Sequence, residues 1–267
     1  MYVERPPTAD LAGRLACVWH QVSEADATQL VVPDACVDLI WGPEGLFVAG
    51  PDTGPMPAPM TSGDTFVGIR FRPGAVGGFF GVPLQELRDQ RVRLSDLPAL
   101  DDHRDRLSDP PSPRGHRDRL SDLPSLRDHR VRLSGLPSLG VADAVPSGRL
   151  DAMLAAVRDR LAHGVPADPA GAAIAGALRK GRTVGEVAWD LGFSERQLHR
   201  RSLGTFGYAP KILQRIVRFQ RALTLARAGV PLAEVAVTAG YADQAHLSHD
   251  VKRLSGVSMR HLVSSSG

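Results

Sequence analysis

Two clusters of hydrogen-bonding side chains stand near the C-terminal end of the sequence. Arg196, His199, Arg200 and Arg201 lie within one short stretch, and Gln244, His246, Ser248, His249 and Lys252 within another. What these residue types offer is recognition of a polar, anionic surface. Arginine can bond guanine O6 and N7, glutamine can bond adenine, and histidine or serine can bond either. Lysine and arginine can also neutralise phosphate.

The elements that must hold the first cluster can be read from TVGEVAWDLGFSERQLHRRS, residues 183–202. Thr183 can N-cap a helix, with Glu186 completing a capping box. Val184, Val187, Ala188 and Leu191 then share one face at helical spacing. Gly192 stands where that helix must stop and the backbone needs a left-handed conformation. Phe193 is an apolar plug. Ser194 and Gln197 form a second capping box, opening a helix that turns Leu198 inward and its arginines outward. A capped helix, a glycine turn and a capped basic helix make a helix-turn-helix signature.

The signature recurs. EVAWDLGF at 186–193 aligns with EVAVTAGY at 234–241, and Asp243 can cap the helix that carries the second cluster, with Leu247 and Val251 facing inward. Between the two units the spacing predicts a long helix over about 211–228, with Ile212, Ile216, Phe219, Leu223 and Leu225 or Ala226 as its apolar stripe. Eighteen residues of helix span about 27 Å. Two recognition helices held apart on that scale can enter successive major grooves, about 34 Å apart along one face of a duplex. Capped helix starts such as that at Ser194, together with Arg201, Lys211, Arg215, Lys252 and Arg253, are placed to hold phosphates.

These residues carry a family resemblance. EVAWDLGFSERQLHRR, GYAPKILQRIVRFQRAL and LAEVAVTAGYADQAHLSHDVKRLSG followed by SMRHL resemble the DNA-binding domain of AraC/XylS-type transcriptional regulators. The resemblance covers the C-terminal third of the chain. It implies base contacts by Arg196, His199 and Arg200 in the first unit and by Gln244, Ala245, Ser248 and His249 in the second. It implies double-stranded DNA and RNA polymerase as partners and leaves room for a small-molecule effector, with no cofactor and no membrane. Two positions depart from the family pattern, which usually has an aromatic residue where Ser202 and Val251 stand. A proline commonly follows the serine at 258, where this chain has Met259. The segment VVPDACVDLIWGPEGLFVAGPDT…GIRFRPGA resembles an uncharacterised N-terminal domain found on some of these regulators.

The remainder of the chain supports a division of labour. Residues 1–90 carry 5 basic and 11 acidic side chains, whereas residues 182–263 carry 12 and 6. An acidic front and a basic back point to the C-terminal part as the one that meets a polyanion. No apolar run is long enough for a transmembrane helix, the first residues lack a signal-peptide pattern, and two cysteines make no disulfide framework; a cytoplasmic chain is expected. The expected fold class is α+β: a β-rich N-terminal regulatory domain at 1–90, a repeat linker, connecting helices at 143–181, and an all-α double helix-turn-helix domain at 182–263. In the front domain, strands are expected over 16–21, 30–32, 36–41, 46–49 and 66–71, with a hairpin turn at 42–45. The proline-rich stretch 50–64 should form a loop or edge. A short helical region is expected over 75–81, and another helix start at Pro83.

Residues 91–142 read as four copies of a 13-residue unit, RVRLSDLPALDDH and its variants. Charged and broken by proline, they are expected to be extended or disordered. His103, His116 and His129 close the first three units, but 13 residues are about 3.6 helical turns, so they share no face and no metal site is expected. An enzymatic alternative, a DNA-alkylation-repair methyl acceptor, would need Cys17 or Cys36 as an activated thiolate. A further alternative makes the front domain a protein-interaction module. Arg70 and Arg72, alternating with apolar residues, could bind an anion or pair with nearby acids.

Overall fold

The computed structural model describes residues 1–97, 146–164 and 166–264. The repeats from residue 98 onward, with His103, His116 and His129, lie outside the described residues. Eight strands form the front of the chain: β1 (Tyr2–Arg5), β2 (Leu15–Val22), β3 (Ala27–Val31), β4 (Val37–Gly42), β5 (Gly45–Ala49), β6 (Met56–Met60), β7 (Thr65–Phe71) and β8 (Arg91–Arg93). Six of them make one antiparallel sheet in the order β1-β2-β7-β4-β5-β8, and β3 pairs with β6 in a separate two-stranded ribbon. The hairpin expected at 42–45 joins β4 to β5, with Gly42 opposite Gly45. Pro57 and Pro59 sit opposite Leu30 and Thr28 in the ribbon, an edge position where a missing N–H breaks no ladder.

The sheet runs past the expected boundary at 90. β8 is the start of the first repeat, and Val92 pairs with Val48 of β5. The expected helix over 75–81 is instead a string of tight turns. Its hydrogen bonds run three residues back, as from Phe79 N–H to Val76 O, and Gly74, Gly77 and Gly81 all have positive φ, which a right-handed helix cannot accommodate. At Pro83 only a single 3-10 turn forms, Leu84–Glu86.

Alternation decides what each face of the sheet buries. Val18, Leu39, Trp41, Val48, Val67, Ile69 and Phe71 fill one face, with Phe79 and Phe80 from the turns above it. The cover comes from helix α1 (Pro146–His163), whose Met153 and Val157 are fully buried in this same cluster. Arg160 donates from Nε to the Phe79 carbonyl at 2.8 Å, and Arg158 pairs with Asp10 at 2.8 Å. The apolar face of α1 legible in the sequence therefore belongs to the front domain's core, not to the helices that follow it.

The described residues that follow α1 are mainly helical: α2 (Ala170–Arg179), α3 (Val184–Asp190), α4 (Glu195–Phe206), α5 (Pro210–Arg227), α6 (Leu232–Ala239), α7 (Gln244–Ser255) and α8 (Met259–Ser264). α5 is central, and its Leu213, Ile216, Phe219, Ala222 and Leu223 are buried against the helices of both units. The front domain shares this core, because Ala35 is buried within it and Leu30 and Val32 pack on it. A Cβ at Gly171 of α2 would lie 2.7 Å from the Gly74 carbonyl oxygen, a close approach that only glycine allows. Gln220 of α5 reaches back to donate to the Pro33 carbonyl at 2.6 Å.

Candidate DNA-reading surface

Both helix pairs are built as their sequences require. Thr183 caps α3 with a reciprocal capping box to Glu186, and Ser194 caps α4 with one to Gln197. Gly192 between them has φ +68°. In the second unit Gly240 ends α6 in the left-handed conformation, and Asp243 caps α7 by accepting from the His246 N–H at 2.7 Å. α4 and α7 have the same length, 12 residues each, and both end on a left-handed glycine, Gly207 and Gly256. Removing the first cap by Ser194→Ala is expected to lower stability by about 1 kcal/mol, which thermal unfolding of the variant against the parent would register.

Each helix is tied to the core through its apolar side. Leu198 of α4 and Leu247 and Val251 of α7 are buried. Ser202, where an aromatic residue is usual, is also fully buried, and its hydroxyl donates to the Tyr208 carbonyl at 2.8 Å. A hydrogen bond to the following turn thus replaces ring packing. Val251 fills its own position as an aliphatic core residue. Met259 stands where the proline is usual and opens α8, and the hydroxyl of the preceding Ser258 accepts from the His261 N–H at 3.3 Å.

The opposite sides are open. Arg196, His199 and Arg200 on α4, and Gln244, Ala245, Ser248 and His249 on α7, are all exposed. Among the described residues, no ion pair occupies Arg196, Arg200, Lys211, Lys252 or Arg253. Two of the expected phosphate-holding residues are engaged within the protein. Arg201 bonds Asp168 at 2.6 Å and stacks 4.7 Å above the Phe193 ring, and Arg215 lies 3.5 Å from Asp250. Ser194 commits its backbone N–H to Gln197 Oε1 at 2.8 Å. Ser248 donates to the Gln244 carbonyl at 2.8 Å, which leaves its lone pairs outward. His246 stacks edge-on against Tyr241 at 5.2 Å, a packing role.

A brace missed in the sequence holds the second unit. Asp250 of α7 is buried and bonds Arg218 of α5 at 2.8 Å, and the same guanidinium lies 4.2 Å over the Tyr241 ring. Arg218 and Asp250 stand 32 residues apart, so the periodicity of neither helix signals their pairing. Only the packing of α7 on α5 brings the trio together.

The front domain's polar groups are arranged for structure. Arg70 of β7 sits opposite Asp38 of β4 and bonds it through Nε at 3.0 Å and a terminal nitrogen at 2.9 Å, with Asp34 at 3.7 Å. Burial pushes the Asp38 carboxyl up, and the Arg70 charge pulls it back. Arg72 donates to the Ala12 carbonyl at 2.8 Å. Burial raises the Cys17 thiol to about 11 and the Cys36 thiol well above its ordinary value. That is the reverse of the activation a methyl-accepting thiolate requires. Among the described residues, no group of three or more His, Cys, Asp or Glu side chains could hold a metal, and no helix is long and apolar enough to cross a membrane.

Two family models match the chain. Residues 187–264, which include both recognition helices, match that of a helix-turn-helix domain, and residues 3–93 match that of a domain of unknown function, DUF6597. Among solved structures, the C-terminal domain of AraT, a response regulator from Geobacillus stearothermophilus, is 24% identical, covering 37% of this chain and 86% of its own, with a TM-score of 0.35. ToxT from Vibrio cholerae O395 is 9% identical over 94% of this chain and 97% of its own, with a TM-score of 0.45. No curated protein matches the chain.

Proposed function

We propose that this chain, a DNA-binding transcription regulator with an AraC-type helix-turn-helix domain, reads a single stretch of duplex with both recognition helices at once. The observation that carries the reading is the pair of equal-length, capped helices, α4 and α7, presenting exposed polar faces while α5 holds their apolar sides in one core. Arg196, His199 and Arg200 contact bases in one major groove, and Gln244, Ala245, Ser248 and His249 in the next. Lys211, Lys252 and Arg253 meet phosphates. Ser194, Arg201 and Arg215 join them, the two arginines by exchanging their intramolecular partners for DNA. The protein acts in the cytoplasm with RNA polymerase, and its front domain modulates activity, with or without a small-molecule effector.

The first helix carries the stronger donors and dominates base readout. Arg196→Ala or Arg200→Ala should therefore cost about 1–3 kcal/mol on the preferred site and relax selectivity at one position. Lys252→Ala should weaken binding evenly across sequences and reduce the salt slope by about one. Fluorescence anisotropy at several salt concentrations tests both. Equal losses for Arg196→Ala on every duplex would contradict the assignment to bases, and a larger loss of selectivity from Gln244→Ala with His249→Ala would reverse the ranking of the helices.

A further inference from the structure

One front-domain loop approaches the same structural position, the C-cap glycine, on both recognition helices. It comprises residues 50–55, between β5 and β6. A Cβ at Gly207, the C-cap of α4, would lie 2.8 Å from Pro51 Cγ and 2.9 Å from the Leu84 carbonyl oxygen. A Cβ at Gly256, the C-cap of α7, would lie 3.6 Å from Pro55 Cγ. The contacts therefore fall at the ends of α4 and α7 opposite to their capped starts, and the exposed reading faces stay clear.

The loop is held from behind. Thr53 donates its N–H to Asp89 Oδ1 at 2.6 Å and its hydroxyl to Oδ2 at 2.8 Å. Asp52 receives both terminal nitrogens of Arg91, at 2.9 and 2.7 Å. Gly50 donates to the Gln90 carbonyl at 3.0 Å, and Asp89 to that of Pro51 at 3.2 Å. Prolines with fixed φ complete a stiff segment.

We propose that loop 50–55 is a specificity-determining strut, which fixes the separation and relative rotation of α4 and α7 and hence the spacing of the two half-sites the protein accepts. The inference rests on the two-helix reading above and deepens the front domain's part in it. A helix pair joined through α5 alone would tolerate small changes in spacing by bending; a second bearing point on each helix removes that freedom.

The test uses the full chain, its preferred duplex, and duplexes with one or two base pairs inserted between the half-sites. The parent should lose about tenfold in affinity per inserted base pair. A Pro51→Ala/Pro55→Ala variant should lose less than about threefold per inserted pair, with half-site affinity unchanged. A folded variant with the parent's spacing penalty overturns the proposal. If the double variant does not fold, Thr53→Val, which frees the loop's hydroxyl anchor and leaves both prolines, is read by the same criterion. A parent that is selective for sequence but indifferent to spacing defeats the strut alone. A parent with no sequence preference defeats the DNA-reading assignment, and the strut with it.

Discussion

Asp38→Ala is expected to destabilise the front domain by about 3–5 kcal/mol, because it leaves a charge buried without its main partner. Asp38 and Arg70 face each other across β4 and β7, with side chains only 12% and 25% exposed. The guanidinium is bonded to Asp38 through two of its nitrogens, and the remaining acids, Asp34 at 3.7 Å and Glu4 at 3.6 Å, are too distant to replace those bonds. Asp38→Asn keeps the shape and one acceptor, so it should lose less than the alanine variant. Chemical unfolding followed by tryptophan fluorescence measures both, since Trp19 and Trp41 are buried in this domain. Equal stability of Asp38→Ala and the parent would show that the fold gains nothing from the pair.

Phe219→Ala is the second large effect, expected at about 3–5 kcal/mol. Phe219 is fully buried at the middle of α5, the helix that packs against both units. Its loss opens a cavity where α4 and α7 take their common reference, so affinity for the two-part site should fall further than affinity for one half-site. Urea unfolding and anisotropy on whole and half sites give the two readings. A loss of stability with identical losses on whole and half sites would mean that α5 does not align the helices.

Much of the C-terminal surface is legible in the sequence because its determinants are local. Capping boxes at Thr183 and Ser194, positive φ at Gly192 and Gly240, and inward leucines at 198 and 247 each depend on residues within one or two turns. The Asp250–Arg218 brace and the pairing of Arg201 with Asp168 are not legible, since they join residues 32 and 33 apart. In the front domain, strands bounded by turns are visible, but β1 and β8 are not. Each is short and largely polar, and its pairing is set by a neighbour distant in sequence. The same cause hides the placement of α1: an apolar face can be read from its spacing, while the surface it covers cannot. The turns at 74–81 show glycine overriding apolar spacing, as positive φ at three positions interrupts any helix.

Selection of bound sequences from a random duplex pool by the chain described above tests the central claim most directly. Two enriched clusters are expected, centred about 10 base pairs apart, or one helical turn, with guanine prominent in the cluster read by α4. A single enriched cluster, or none, would contradict a protein that reads two successive grooves with α4 and α7.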